Sequence, residues 1–208
     1  WQIGERTLPV PAAASPELRA AIADAPQPDP KSRGAAPATA QAWRQLIAAR
    51  ETDWAVSLEE LGDSLGVSIS RDTIAGVPVH RVAPARVAPE NSGRLFVYLH
   101  GGAYVFRGGD GSVGEGALIS ALSGIPAVSI DYRMPPDHPH PAAVLDVVAV
   151  YRDLLKTHEA PVIGMGGTSA GGGLTLASVH KLKSEGLPLP GALYLGTPWA
   201  DLTRTSDS

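Results

Sequence analysis

Residues 161–173, PVIGMGGTSAGGG, contain the pattern that decides the fold. The first six are apolar or glycine and predict a short buried strand, whereas residues 170–185 predict a helix. Between them stands G-T-S-A-G, with Ser169 at its centre. A G-x-S-x-G run between a strand and a helix is typical of a nucleophile elbow, because side chains on its flanks would meet the crossing elements. The alternative interpretation is a plain glycine–serine turn.

A second glycine motif follows residues 94–99, RLFVYL, whose β-branched and aromatic content predicts a strand. It reads H-G-G-A-Y and occupies residues 100–104. Glycines directly after a strand leave backbone N–H groups free to point into a site, so we expect part of an oxyanion hole here. One strand–helix unit separates the two motifs, which is the separation that an α/β-hydrolase arrangement requires.

A third stretch, DYRMPPDHPHPAA at residues 131–143, completes a resemblance. Together the three motifs resemble those of the bacterial hormone-sensitive-lipase-like esterases, and G-T-S-A-G resembles the subgroup with threonine at the second position of the elbow. The resemblance covers nearly the whole chain. It implies that Ser169 is the nucleophile and that the backbone N–H groups of Gly101, Gly102 and Ala170 form the oxyanion hole.

The chain departs from the family pattern at two positions. Ala103 stands where the oxyanion loop usually has a third glycine, which we expect to narrow the acyl side of the pocket. Asp137 replaces the usual glutamate of a loop that we interpret as structural. Tyr104 follows directly on the oxyanion loop, and we predict that it lines the substrate pocket.

Strands and helices alternate regularly after residue 93. Four strands are predicted at 94–99, 126–131, 161–166 and 191–196, with helices near 114–123, 142–157 and 170–185. This alternation predicts an α/β-hydrolase fold, with a mostly parallel sheet and helices on both faces. Two further strands, at 67–73 and 77–82, precede the series and are joined by a tight turn.

The first part of the chain is helical in pattern. A short helix begins near Ser15, which precedes a proline at the first helical position, and a longer helical pattern runs over residues 39–62. We therefore divide the chain into an N-terminal helical cap region, 1–62, and a catalytic domain, 63–208, whose last strands we expect to be missing from this chain. Trp43 and Trp54 share one helix face. They either pack on the sheet domain or wall the acyl pocket.

Composition excludes several classes of function. The 208 residues carry a net charge of −4 with no basic run, which argues against nucleic acid as a partner. There are no cysteines, so disulfides and thiolate metal sites are excluded. No apolar stretch approaches the ~20 residues that cross a bilayer, and no signal-peptide pattern is visible. We expect a cytoplasmic enzyme without cofactor or metal.

The histidines do not complete a catalytic triad. His100 adjoins the oxyanion loop and is expected to hold it by hydrogen bonding, with a role as general base as the alternative. His138 and His140 have no acidic cluster at metal-ligand spacing. Because the acid and the histidine follow the serine in this fold, we expect both in a missing segment beyond Ser208. Asp201 is an alternative acid.

Two functions of different classes fit these residues. The first is a carboxylic-ester hydrolase that acts on short- to medium-chain acyl esters through an acyl-enzyme on Ser169. The second is a non-catalytic small-molecule binding protein with the same fold. The strained serine favours the hydrolase, because a binding protein has no use for it. The sequence leaves open the natural ester and the oligomeric state, a homodimer included.

Overall fold

The computed structural model of the protein describes residues 13–25, 36–53, 55 and 57–203. The chain divides into two compact units, residues 1–36 and 37–208. The described part of the first unit contains helix α1, Pro16–Asp24, whose cap is Ser15: its side chain accepts a hydrogen bond from the N–H of Leu18 at 3.2 Å. The short N-terminal helix predicted from the sequence is therefore confirmed. The division at residue 62 stays a prediction.

The described part of the second unit contains five helices and six strands. The helices are α2 Ala40–Asp53, α3 Leu58–Leu65, α4 Gly114–Ser123, α5 Ala142–Leu154 and α6 Ala170–Ser184. The strands are β1 Val67–Ile74, β2 Val77–Pro84, β3 Leu95–Leu99, β4 Ala127–Ile130, β5 Ile163–Thr168 and β6 Ala192–Gly196.

The six strands form one mixed sheet in the order β1-β2-β4-β3-β5-β6. Strands β4, β3, β5 and β6 are parallel to one another, as the strand–helix alternation predicts. Strands β1 and β2 form an antiparallel hairpin through Ala75 and Gly76, both at positive φ, and β2 pairs antiparallel with β4. Because β3, β4 and β5 all run in one direction, their carboxyl ends meet at one edge, where Ser169 lies.

Alternate residues of each strand pack into two separate cores. On one face, Val97 and Leu99 of β3 join the apolar residues of α5 and α6. On the other face, Phe96 packs with α3 and α4. This alternation follows from the two-residue period of a strand, which sends successive side chains to opposite faces. Helices therefore cover both faces, as expected.

The continuous helix predicted over residues 39–62 is wrong in one respect. Helix α2 ends at Asp53 and a separate helix, α3, begins at Leu58. Ser57 caps α3, because its side chain accepts a hydrogen bond from the N–H of Glu60 at 3.2 Å. A cap residue has an extended backbone, and Ser57 at φ −78 and ψ 117 cannot belong to a continuous helix.

Candidate active site

Ser169 is the single residue between β5 and α6. Its backbone has φ 57 and ψ −119, a combination that costs about 1–3 kcal/mol in a residue other than glycine. Three backbone hydrogen bonds hold it there. Its N–H donates to the carbonyl of Gly196 at 2.8 Å, and its own carbonyl accepts from the N–H groups of Gly173 at 3.1 Å and Trp199 at 2.9 Å. The side chain is exposed.

The glycines of the elbow are required by close packing. A Cβ atom on Gly167 would lie 2.0 Å from the carbonyl oxygen of Leu99, and one on Gly171 would lie 1.9 Å from the same oxygen. Real Cβ contacts essentially never fall below 3.0 Å. Strand β3 therefore crosses the elbow so closely that neither position accepts a side chain, as the motif predicts.

The loop after β3 lies beside Ser169. A Cβ atom on Gly101 would come within 2.9 Å of the Thr168 carbonyl and 3.6 Å of the Ser169 Cβ. Gly102 has φ +118, and its carbonyl accepts hydrogen bonds from the N–H groups of Val105 and Phe106 at 3.0 and 2.8 Å. The loop thus turns sharply at Gly102 and packs Gly101 against the elbow.

Three N–H groups at the site, two from the glycines of this loop and one from α6, have no acceptor among the described residues. In the described part of the chain, no carbonyl or side chain accepts a hydrogen bond from the N–H of Gly101, Gly102 or Ala170. Ala170 is the first residue of α6, so its N–H also lies at the positive end of the helix dipole. Three unpaired donors beside an exposed serine hydroxyl can donate hydrogen bonds to a developing oxyanion.

His100 supports the loop from beneath. It is 1% exposed, its ring stacks on Tyr132 with centroids 4.1 Å apart, and its Nδ1–H donates to the Gly101 carbonyl at 2.7 Å. The Tyr132 hydroxyl in turn donates to the His100 carbonyl at 2.6 Å. Burial lowers the pKa of His100 to about 4, so the ring is neutral at pH 7. These contacts match the supporting role expected for His100.

A pocket of about 310 Å³ opens at Ser169. The predicted oxyanion glycines, Gly101 and Gly102, line it, and so do Thr168, Arg107 and Glu115, which the sequence motifs did not point to. The Glu115 carboxylate accepts a hydrogen bond from the Thr168 hydroxyl at 2.6 Å. Two charged side chains, one of each sign, therefore border the pocket.

Tyr104 lies in a different, apolar pocket. Its ring is tilted against that of Trp199 with centroids 6.0 Å apart, and both line a pocket of about 400 Å³ together with Leu174 of α6. Burial raises the pKa of the Tyr104 hydroxyl. Tyr104 does not line the pocket at Ser169; its hydroxyl lies beside Gly173 of α6, and its role in the substrate pocket stays a prediction. The two pockets flank the first turn of α6.

Helix α2 contacts the loops around the site through charged groups. Arg44 forms an ion pair with Asp137 at 2.7 Å, and the N–H of Arg107 donates to Glu51 at 2.5 Å. Asp137, the departure from the family pattern, therefore anchors α2 to the loop that follows β4. Trp43 is half-buried on α2, and Trp54 lies outside the described residues.

No general base is in place among the residues that the structure describes. None of their histidines is hydrogen-bonded to the Ser169 hydroxyl, and His80, for example, contacts Asp110 at 3.0 Å. Asp201, the alternative acid, accepts hydrogen bonds from the N–H and hydroxyl of Thr203 at 2.8 and 2.6 Å. Within the same ranges, no cluster of three or more potential ligand side chains could hold a metal ion. No helix there combines the length and hydropathy needed to cross a bilayer.

The comparison with protein families decides the classification. A family model described as alpha/beta hydrolase fold matches residues 96–208, more than half of the chain. The chain belongs to this family. Within it, this alpha/beta hydrolase is 44% identical over 138 residues to LipR of Mycobacterium tuberculosis, named as an acetyl-hydrolase; the match covers 66% of this chain and 44% of LipR. It is 37% identical over 131 residues to an acetyl-hydrolase of Streptomyces hygroscopicus, covering 62% of this chain and 42% of that protein.

Solved structures extend the comparison over the whole chain. The crystal structure of esterase E25 matches with a TM-score of 0.91 and 43% identity, covering 100% of this chain and 64% of E25. The hormone-sensitive-lipase homologue EstE7, from a metagenome library, matches with a TM-score of 0.62 and 32% identity, covering 79% and 59%. The predicted resemblance to the bacterial hormone-sensitive-lipase-like family is confirmed. The alpha/beta hydrolase spans less than half the length of the two curated relatives.

Proposed function

We propose that this chain supplies the nucleophile and the oxyanion-binding groups of a serine carboxylic-ester hydrolase. One observation carries the proposal: an exposed serine at positive φ stands beside three backbone N–H groups that have no acceptor in the described residues. A strained nucleophile facing unpaired donors is the arrangement that acyl transfer requires. The names of the relatives, which are acetyl-hydrolases and esterases, support the same reaction class.

In the proposed reaction the Ser169 Oγ attacks the acyl carbonyl carbon while its proton passes to a neutral histidine. The negative charge that forms on the carbonyl oxygen is held by the N–H groups of Gly101, Gly102 and Ala170. The tetrahedral intermediate collapses, and the histidine returns the proton to the departing alcohol. Water then attacks the acyl-enzyme, which releases the carboxylic acid and restores the serine.

The proposal takes the general base and its acid from outside the described residues. Two observations support an external base. None of the described histidines is hydrogen-bonded to the Ser169 hydroxyl, and the Nδ1–H of His100 is used to hold the oxyanion loop. The predicted segment beyond Ser208 is the proposed source. An intact-mass spectrum tests this directly. A single 21.5 kDa species with full esterase activity would contradict an external base and make His100 the candidate general base.

We further propose short- to medium-chain acyl esters as substrates. The pocket at Ser169 is small, about 310 Å³, and two charged side chains border it, which disfavours a long acyl chain. A cytoplasmic location stays a prediction from the sequence.

Covalent labelling separates the hydrolase from the binding protein. A fluorophosphonate should add one adduct to Ser169, and Ser169→Ala should abolish the adduct. Ser184→Ala serves as the matched control, because Ser184 is an exposed serine at the far end of α6, the helix that begins directly after Ser169. Complete wild-type protein, including the segment proposed to supply the general base, that stays unlabelled but still binds an ester in the pocket would support the non-catalytic alternative and contradict the hydrolase.

A further inference from the structure

The strained backbone of Ser169 must be held in place by its neighbours, and the side chain of the preceding residue, Thr168, makes one short hydrogen bond. The Thr168 hydroxyl donates a hydrogen bond to Oε1 of Glu115 at 2.6 Å. Glu115 lies in the first turn of α4, fifty-three residues earlier in the chain. A strained backbone persists only where the surrounding structure over-determines it, so this contact is a candidate for that task.

The Glu115 carboxylate gathers two more hydroxyl groups. Oε2 accepts from Tyr98 of β3 at 2.8 Å, and Oε1 also accepts from Tyr194 of β6 at 3.3 Å. Tyr98 is 3% exposed, and burial raises the pKa of its hydroxyl well above the usual range, so it remains a donor. One carboxylate thus joins α4 to the ends of three parallel strands, β3, β5 and β6.

Two glycines make room for this cluster. A Cβ atom on Gly196 would lie 2.5 Å from the Thr168 hydroxyl and 2.7 Å from that of Tyr194. A Cβ atom on Gly116 would lie 2.9 Å from the Tyr98 ring. Side chains at these two positions would therefore clash with the groups that surround the Glu115 carboxylate. A chance surface contact would not require glycine at both positions.

The cluster also connects the oxyanion loop to the residue that precedes the nucleophile. The segment from residue 101 to 115 touches the elbow at both of its ends: Gly101 packs against the Thr168 carbonyl, and Glu115 holds the Thr168 side chain. Both contacts fall on the residue that precedes Ser169. Movement of Thr168 would therefore shift the serine relative to the N–H donors of the loop.

We propose that Glu115 is a positioning residue for Ser169, and that its carboxylate requires a hydrogen-bond donor, rather than a second carboxylate, at position 168. The inference rests on the proposed hydrolase function. A carboxylate at position 168 would face that of Glu115 at hydrogen-bond distance, where two like charges repel and neither can donate. An amide at position 115 would restore a donor between them.

Five variants at these two positions test the proposal by steady-state kinetics with p-nitrophenyl acetate, with active sites titrated by a fluorophosphonate. Thr168→Ser keeps the hydroxyl and should retain wild-type kcat. Thr168→Val should lower kcat about tenfold with KM nearly unchanged, since a hydrogen bond to a charged group corresponds to a factor of roughly ten or more. Thr168→Asp should lower kcat at least about 100-fold, and adding Glu115→Gln should recover at least about tenfold of that loss.

The rescue separates positioning from a merely structural role. Glu115→Gln alone should lower kcat, yet it should raise kcat in the Thr168→Asp background, and such a reversal requires direct contact between the two side chains. Glu185→Gln is the matched control, because Glu185 is an ion-paired carboxylate at the far end of α6, and it should leave kcat unchanged.

The outcomes distinguish this inference from the function on which it rests. Complete wild-type protein, including the segment proposed to supply the general base, that neither hydrolyses the ester nor reacts with the fluorophosphonate would overturn the proposed function, and the inference with it. Active wild-type protein with equal kcat per titrated site in Thr168→Val and Thr168→Asp, and no rescue, would overturn the inference alone.

Discussion

Replacing Gly171 with alanine tests how closely β3 crosses the elbow. The added Cβ would lie 1.9 Å from the carbonyl oxygen of Leu99 and 2.7 Å from that of His100. Both obstacles are backbone atoms, so no side-chain rotation relieves the contact. The start of α6 and the end of β3 must separate by about 1.5 Å before the nearest contact, now 1.9 Å, reaches an ordinary distance of 3.4 Å.

The expected cost follows from two opposing effects. Alanine in place of glycine inside a helix normally stabilises by about 0.5–1 kcal/mol, whereas overpacking a rigid core costs about 1–3 kcal/mol and at times more. Because the clash involves backbone, we expect the upper part of that range and a net fall of about 2 kcal/mol in the free energy of unfolding. For a chain of this size the melting temperature should fall by roughly 4–8 °C.

Activity should fall further than stability, since a 1 Å displacement within a catalytic constellation costs roughly 100-fold in rate. Thermal unfolding and hydrolysis of p-nitrophenyl acetate measure the two effects. Gly114→Ala is the matched control: Gly114 is the first residue of α4, and nothing lies within 4 Å of its added Cβ. That variant should be slightly more stable than wild type and fully active.

Equal melting temperatures and activities in the Gly171→Ala and Gly114→Ala variants would refute the reasoning. They would mean that β3 yields to a methyl group without cost, and that the glycine of the motif is not required by the Leu99 carbonyl.

Three further predictions concern stability and substrate choice. Burial lowers the pKa of His100 from 6.5 to about 4, so between these pH values the unfolded chain binds a proton at this residue and the folded chain does not. The free energy of unfolding, measured by urea titration, should therefore fall by about 3 kcal/mol as the pH is lowered from about 6.5 to 4. The fall should be smaller in His100→Gln. Asp146→Ala should lower the free energy of unfolding by about 2 kcal/mol, since Asp146 is 3% exposed and pairs with Arg133, whereas breaking the exposed Arg44–Asp137 pair should cost less than about 1 kcal/mol. Rates across p-nitrophenyl esters should peak at short to medium acyl chains, and a maximum at the palmitate ester would contradict that range.

Features that depend on neighbouring residues could be predicted from the sequence. The turn at Ser169 follows from a strand, a glycine-flanked serine and a helix, all within residues 161–185, and the structure has β5 and α6 meeting there. The hairpin at Ala75 and Gly76 likewise follows from local turn chemistry. In both cases the backbone geometry is imposed by residues adjacent in the chain.

The break between α2 and α3 is marked in the sequence by a helix-capping pattern, but the apolar spacing around it favours one continuous helix. The residues S-L-E-E, from Ser57 to Glu60, form the start of a capped helix. Apolar residues at helical spacing, such as Leu58 and Leu61, continue the pattern of the preceding helix and favoured a single long element. The cap decides the structure because an extended residue at position 57 ends any continuous helix.

Glu115 could not be predicted, because its partners come together only through the order of the strands. Tyr98, Thr168 and Tyr194 lie 17, 53 and 79 residues from Glu115 in the chain. They converge because β3, β5 and β6 are neighbours in the sheet and end at the same edge. No periodicity or short motif in the sequence reports such a convergence.

A single atom, the carbonyl oxygen of Leu99, explains why both outer positions of the elbow are glycine, since Cβ atoms on Gly167 and Gly171 would lie 2.0 and 1.9 Å from it. Substitutions that press on one shared atom do not add, because the displacement forced by the first already makes room for the second. The double alanine variant should therefore cost less than the sum of the two single variants. The two glycines are thus epistatic to one another: once either is lost, the other constrains the chain less.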